Sequence, residues 1–117
     1  MSELSAEDAK LVTLARAART RAYVPYTGAA EGAAVRDTDG RAYAAATVEN
    51  VDPDWTTTAL RGAIAAAASS GSRRFEAAAV VTERDGEFTG EPMLGEFGVP
   101  LVLVAGPDGA VRRTWTP

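Results

Sequence analysis

No cysteine and no histidine occur among the 117 residues, and lysine occurs once, as Lys10, against 11 arginines. The first two absences exclude the most. Without cysteine there is no disulfide. Without cysteine or histidine, a structural or catalytic zinc site has none of its usual ligands. Ser-His-Asp and Cys-His nucleophilic arrangements fall for the same reason. A general base would have to be a carboxylate, Lys10, a tyrosine or a chain terminus. No apolar run approaches the roughly 20 residues of a membrane span, so no membrane partner is expected. The net charge is −4, and there is no basic cluster of the kind that follows phosphates. Nucleic acid is therefore not expected as a partner either. The opening stretch MSELSAEDAK is polar and acidic, unlike a secretory signal, and a cytoplasmic protein is the expectation.

What is abundant is alanine, 25 residues. The length fits one domain over 1–117 with a core of its own. Ser5 followed by Glu7 and Asp8 reads as an N-cap with acids in the first turn. Leu11, Leu14, Ala15, Ala18 and Ala22 recur at helical spacing, so a helix is predicted over 6–22. Arg16, Arg19 and Arg21 near its end could bind an anion or form a solvated face suited to the helix dipole. GAAVRD (32–37) and RAYAAATV (41–48) flank the turn signal TDG and predict a hairpin. Thr56 to Ser70 predicts a second helix, buried by its small residues, with Gly71 placed for a C-cap. FEAAAVVT (75–82) reads as a strand, and 83–98 as an irregular, mobile loop. VPLVLVA (99–105) and AVRRTW (110–115), split by the turn GPDG, read as the last two strands. The order is α-β-β-α-β-β-β.

The run YVPYTGAAEGAAVRDTDGRAYAAATVENVDPDWTTTALRGAI resembles the first half of the cytidine deaminase family. That family runs A-Y-x-P-Y-S-x-F-x-V-G-A-A-L, a hairpin, N-x-E-N and T-x-C-A-E-R. Tyr23, Pro25, Tyr26, Gly32, Ala33, Ala34, Gly40, Val48, Glu49, Asn50, Thr56, Ala59, Arg61 and Ala63 fall on its positions. LGEF (94–97) resembles the L-x-E-F closing the family's third helix. The likeness covers most of 5–105. It implies an α/β fold of three-layer type: a mixed five-stranded sheet with an N-terminal hairpin, two main flanking helices, and a third helix shortened or lost. It also implies a homo-oligomer, dimer or tetramer, because the family assembles with sites completed across interfaces.

The family's chemistry is hydrolysis at a zinc held by one ligand from the first motif and two thiolates of P-C-x-x-C, with a glutamate moving protons. Here the first ligand position is Thr58 and the glutamate position is Leu60. After Pro92 the chain runs directly into Met93 and Leu94. A neutral hydroxyl is a poor zinc ligand and leucine moves no proton. The expected catalytic residues, metal ligands and cofactors are therefore none. The N-x-E pair that holds ribose hydroxyls becomes Thr47 and Glu49. The family's base-packing phenylalanine becomes Ala29, and Glu31 replaces an apolar neighbour.

The expected remnant pocket comprises Thr47, Glu49, Tyr26, Trp55, Thr57, Thr58 and Leu60, with a pyrimidine nucleoside or other small ligand. Structural readings stand beside these. Glu49 could pair with Arg61 or cap backbone amides. Thr56 to Thr58 could cap a helix or hold an anion. Glu49, Asp52 and Asp54 could bind Mg²⁺ or Ca²⁺. Leu60 reads as a core leucine filling the space of a lost metal. The sequence points to a non-catalytic, zinc-free binding or scaffold module. The alternative is a nucleoside deaminase of pyrimidine salvage, and a third possibility is pairing with a different, active subunit.

Overall fold

A computed structural model describes residues 4–86 and 88–117. Helix α1, Ala6–Arg19, starts where Ser5 Oγ accepts the amide of Asp8 at 3.1 Å, which satisfies one of the four unpaired N–H groups of a helix start. It buries Leu11, Val12, Ala15 and Ala18. It ends short of the expected Ala22. The Thr20 hydroxyl donates to the Ala17 carbonyl at 2.7 Å, and the Tyr23 amide donates to Thr47 O at 2.9 Å. Those bonds draw the chain out of the helix before Pro25, which disfavours helical backbone in the residue ahead of it.

Five strands follow: β1 Gly32–Asp37, β2 Ala42–Ala46, β3 Phe75–Val81, β4 Val102–Ala105 and β5 Val111–Trp115. Their order in the sheet is β2-β1-β3-β4-β5, with β3 and β4 parallel and every other pair antiparallel. The predicted hairpin is β1–β2. Its turn is held by Asp37, whose Oδ1 accepts the amides of Asp39 and Arg41 and whose Oδ2 accepts the Ser72 hydroxyl at 2.6 Å. The Ser72 bond, opposed by burial and aided by the two amides, holds the Asp37 carboxyl below its ordinary range.

Alternation along the strands splits the core in two. Ala33, Val35, Ala78, Val80, Val102 and Val104 face helix α2. Ala34, Ala77, Ala79, Val81, Leu103 and Ala105 face α1. The result is helix, sheet, helix: the expected three-layer arrangement. Each fully buried Leu, Ile or Val contributes about 1.5–3 kcal/mol.

Helix α2, Ala59–Ser69, is capped by Thr58 and buries Leu60, Ala63, Ile64 and Ala67. At its end Gly71 adopts φ +106, and the amides of Gly71 and Ser72 donate to Ala68 O and Ala67 O. This is the αL termination that glycine permits without a Cβ penalty.

The stretch expected to be irregular contains a short helix α3, Pro92–Glu96, with Leu94 buried. Phe97 packs edge-on against Phe75 and Phe88 against Trp115, with centroids 6.0 and 5.8 Å apart. Arginines tie down its near end: Arg19 pairs with Glu83 at 2.6 Å, Arg112 with Asp85 at 3.1 Å, and Arg113 donates to the Asp85 carbonyl at 3.0 Å. The predicted mobility of 83–98 also covers Glu87, and the polar-start reading covers residues 1–3. Both of these lie outside the described residues. Among the described residues, no helix is long and apolar enough to cross a membrane.

Candidate functional site

At the N-terminal end of α2 the chain leaves a cavity of about 290 Å³. Its floor is apolar: Leu60 from α2, the register partners Val80 and Val104 of β3 and β4, and Phe88. Its rim is polar: Glu31, Thr58, Thr82, Arg84, Thr89 and Glu91. Leu60 is a core leucine, 2% exposed, as its apolar character implies. Yet it lies beneath a cavity rather than filling one.

Two hydrogen-bonded pairs build the rim. The Thr58 hydroxyl accepts the Arg61 amide at 3.1 Å as N-cap and donates to Glu91 Oε1 at 2.7 Å. Glu91 thus brings a carboxylate to the positive end of a helix, where the dipole favours it. It also joins α2 to the residues entering α3. Across the cavity the Thr82 hydroxyl donates to Glu31 Oε2 at 2.7 Å, and Arg84 Nε lies 3.2 Å from the same oxygen.

Glu31, Thr58 and Arg84 also border a second cleft, of about 370 Å³, lined by Thr47, Glu49, Thr27 and Ala29. Thr47 and Glu49 are 8% and 9% exposed, and both are committed internally. The Thr47 hydroxyl bonds the backbone of Glu31. Glu49 caps backbone amides, one of the two structural roles open to it. Its Oε1 accepts the amides of Tyr26 at 2.9 Å and Thr27 at 3.2 Å, and its Oε2 accepts the Thr27 hydroxyl. Arg61, the other partner considered, instead donates to the Thr56 carbonyl.

The Thr27 hydroxyl, opposed by burial and aided by the two amides, holds the Glu49 carboxyl below its ordinary value of 4.5. A depressed carboxylate stabilises the fold above its unfolded pKa and loses that contribution as pH falls through the folded one. The expected result is that Glu49→Gln unfolds at lower denaturant than wild type at neutral pH. The gap should close as pH drops below 4.5. Urea titrations at stepped pH check this.

Thr58 and Leu60 therefore line the cavity and Thr47, Glu49 and Thr58 the adjoining cleft. Tyr26, Trp55 and Thr57 line neither space. Tyr26 is 58% and Trp55 74% exposed. Thr57 exchanges backbone hydrogen bonds with Val48 and borders a separate groove beside Gly62. Asp52 caps the short helix Pro53–Trp55 by accepting the Asp54 amide at 3.0 Å. With Glu49 spent on the 26–27 loop, the three acids do not converge.

The residues missing from the expected pocket are Thr82, Arg84, Phe88 and Glu91, together with Glu31 as a participant. A partial signal existed for Thr82, which follows Val80 by two just past the end of β3 and so continues its side of the strand. Glu91 carried none, since its role rests on a partner 33 residues away.

The zinc implied by the resemblance finds no donor set. Thr58 is a hydroxyl already bonded to Glu91 and Arg61, Leu60 is hydrocarbon, and α3 opens with Pro92, Met93 and Leu94. Among the described residues no group of three or more Asp, Glu, His or Cys could hold a metal ion. The residues present do not fit the ion.

The cytidine deaminase-like family model matches residues 4–109. A cytidine deaminase of Sporosarcina psychrophila is 40% identical over 77 residues, which are 66% of this chain and 57% of that protein. The chain thus spans little more than half the length of that curated relative. The crystal structure of cytidine deaminase from Burkholderia pseudomallei superposes with a TM-score of 0.83 at 30% identity, covering 97% of this chain and 93% of that one. Cytidine deaminase from Mycobacterium tuberculosis gives 0.73 at 30% identity, covering 89% and 88%. Cytidine deaminase from Mycobacterium leprae gives 0.73 at 26%, covering 97% and 94%. With the family model matching most of its length and a superposition of TM-score 0.83, the chain belongs to the cytidine deaminase-like family.

Proposed function

We propose that this chain is a non-catalytic, zinc-free member of its family that keeps the cleft as a small-molecule binding pocket. The observation that carries the reading is the Thr58–Glu91 hydrogen bond above Leu60. A hydroxyl–carboxylate link and a leucine occupy the end of α2 where the resemblance places a metal ligand and a proton carrier. A hydroxyl committed to two hydrogen bonds offers a metal little, and leucine has no proton to give. A pyrimidine nucleoside remains a candidate occupant, although Thr47 and Glu49 have few polar atoms left for a ribose.

The second reading is hydrolytic deamination of cytidine, favoured by the names of the relatives given above, which are cytidine deaminases. One preparation separates the two. Expected are no stoichiometric zinc by elemental analysis, even after incubation with the metal, and no loss of cytidine absorbance with time. Stoichiometric zinc with steady conversion to uridine would establish the second reading instead. A homo-oligomer belongs to the proposal as well. Its support is the exposed apolar group of Tyr23, Tyr26, Val48, Val51 and Trp55, which a second subunit would cover. Sedimentation of the same sample measures it.

A further inference from the structure

We infer that the deep cavity selects an organic cation, an amidinium or ammonium carried on a small apolar body, over neutral nucleosides and over phosphorylated ligands. This rests on the reading of the cavity as a binding pocket and names what it takes.

Most polar side chains around the cavity are already paired with one another. The hydroxyls of Thr58 and Thr82 have given their protons to Glu91 and Glu31. Each also accepts a backbone amide, from Arg61 and Arg84 respectively. They have little left for a ligand. Among the described residues, Glu31 Oε1 and Glu91 Oε2 have no partner, because the recorded bonds use the opposite oxygen of each carboxylate. The free acceptors along the rim therefore belong to two carboxylates, accompanied by the neutral hydroxyl of Thr89. One guanidinium, Arg84, offsets part of this charge. It engages Glu31 at 3.2 Å, and its side chain is 73% exposed, so solvent screens it.

Beneath these acceptors lies hydrocarbon from Leu60, Val80, Val104 and Phe88. A charge held over such a floor is poorly solvated and interacts strongly with an opposite charge. A neutral ligand without donors that displaced water here would leave carboxylate oxygens desolvated and unpaired, and one with donors would pair them without offsetting their charge. A phosphate would add like charge. A ligand carrying N–H donors and a positive charge answers both oxygens, with charge-assisted hydrogen bonds about twice as strong as neutral ones. The volume, about 290 Å³, suits one ring with its charged substituent.

The test uses three probes of one shape and three charges: benzamidine, benzamide and benzoate. Binding to the full-length protein is followed by calorimetry, with thermal shift as a second readout. Expected is benzamidine tighter than benzamide by about tenfold or more, and benzoate weakest. Glu91→Gln keeps an oxygen for Thr58 and removes the charge, so benzamidine should lose far more affinity than benzamide and fall toward it. Glu31→Gln is the independent second variant, with the same expected pattern. Equal binding of benzamidine and benzamide, or tighter benzoate, overturns the cation preference and leaves a binding pocket standing. Silence from all three probes and from cytidine at millimolar concentration overturns the pocket reading along with it.

Discussion

Gly32→Ala is expected to cost this protein more than about 4 kcal/mol, enough to leave it largely unfolded at ambient temperature if its total lies in the usual range of about 5–15 kcal/mol. Gly32 opens β1 directly beneath the last turns of α1. A Cβ there would press into the Ala15 carbonyl oxygen and lie 2.5 Å from the Arg19 amide nitrogen and 2.9 Å from its Cα. All three obstacles are backbone, so no side chain can swing away, and relief requires α1 to lift off the sheet. That helix carries Leu11, Val12 and Ala15 into the core, so lifting it exposes one whole face of the sheet. Gly95→Ala is the matched control. Gly95 sits in α3 with open space around its Cα, and alanine there should be neutral or stabilising by up to about 1 kcal/mol. Urea unfolding of both variants, followed by circular dichroism, measures the contrast. A Gly32→Ala protein as stable as wild type would mean that α1 does not pack on β1 as closely as described.

Leu60→Ala is expected to cost about 2–5 kcal/mol. Leu60 is 2% exposed within the cluster that includes Val35, Ile64, Leu94 and Val104. Truncation removes its transfer free energy. It also leaves space that neighbours cannot close, because the floor already borders an unfilled cavity. The cavity contribution therefore adds to the transfer term rather than relaxing away. Water entering the enlarged space would find Glu31, Glu91 and Thr58 at the rim to bond, which places the expected value nearer the lower end of that range. The midpoint of urea unfolding should fall with its slope unchanged. A loss under about 1 kcal/mol would show that Leu60 is not a packing residue, and would reopen a ligand-contacting role as its main purpose.

Most of the secondary structure was determined locally. Ser5 and Thr58 cap their helices through their own hydroxyls. Asp39-Gly40 turns the hairpin, and Gly71 ends α2. Successive Ala and Val positions along β1 and β3 divide cleanly between two helical faces. Each depends on residues within a few positions of one another, which is why periodicity and capping rules reach them. The absence of thiols and imidazoles was equally plain, since a missing atom type needs no geometry.

The tertiary structure decided what surrounds the cavity. The Thr58–Glu91 bond spans 33 residues and the Thr82–Glu31 bond 51. Both exist only because β1 and β3 pair in one register and α2 and α3 lie on one face of the sheet. Helix α3 was legible only through the resemblance, which implied a third helix shortened or lost, because five residues are too few for periodicity to register; packing of Leu94 and Phe97 holds the shortened helix in place. Tyr26, Trp55 and Thr57 lay near Glu49 and Thr58 in sequence, and their neighbours Thr27, Pro53, Thr56 and Thr58 line the second cleft, yet these three residues line neither space. Proximity along a chain constrains backbone conformation over a turn or two. Which side chains share a cavity depends on how distant strands and helices are stacked, and that is a property of the packed sheet.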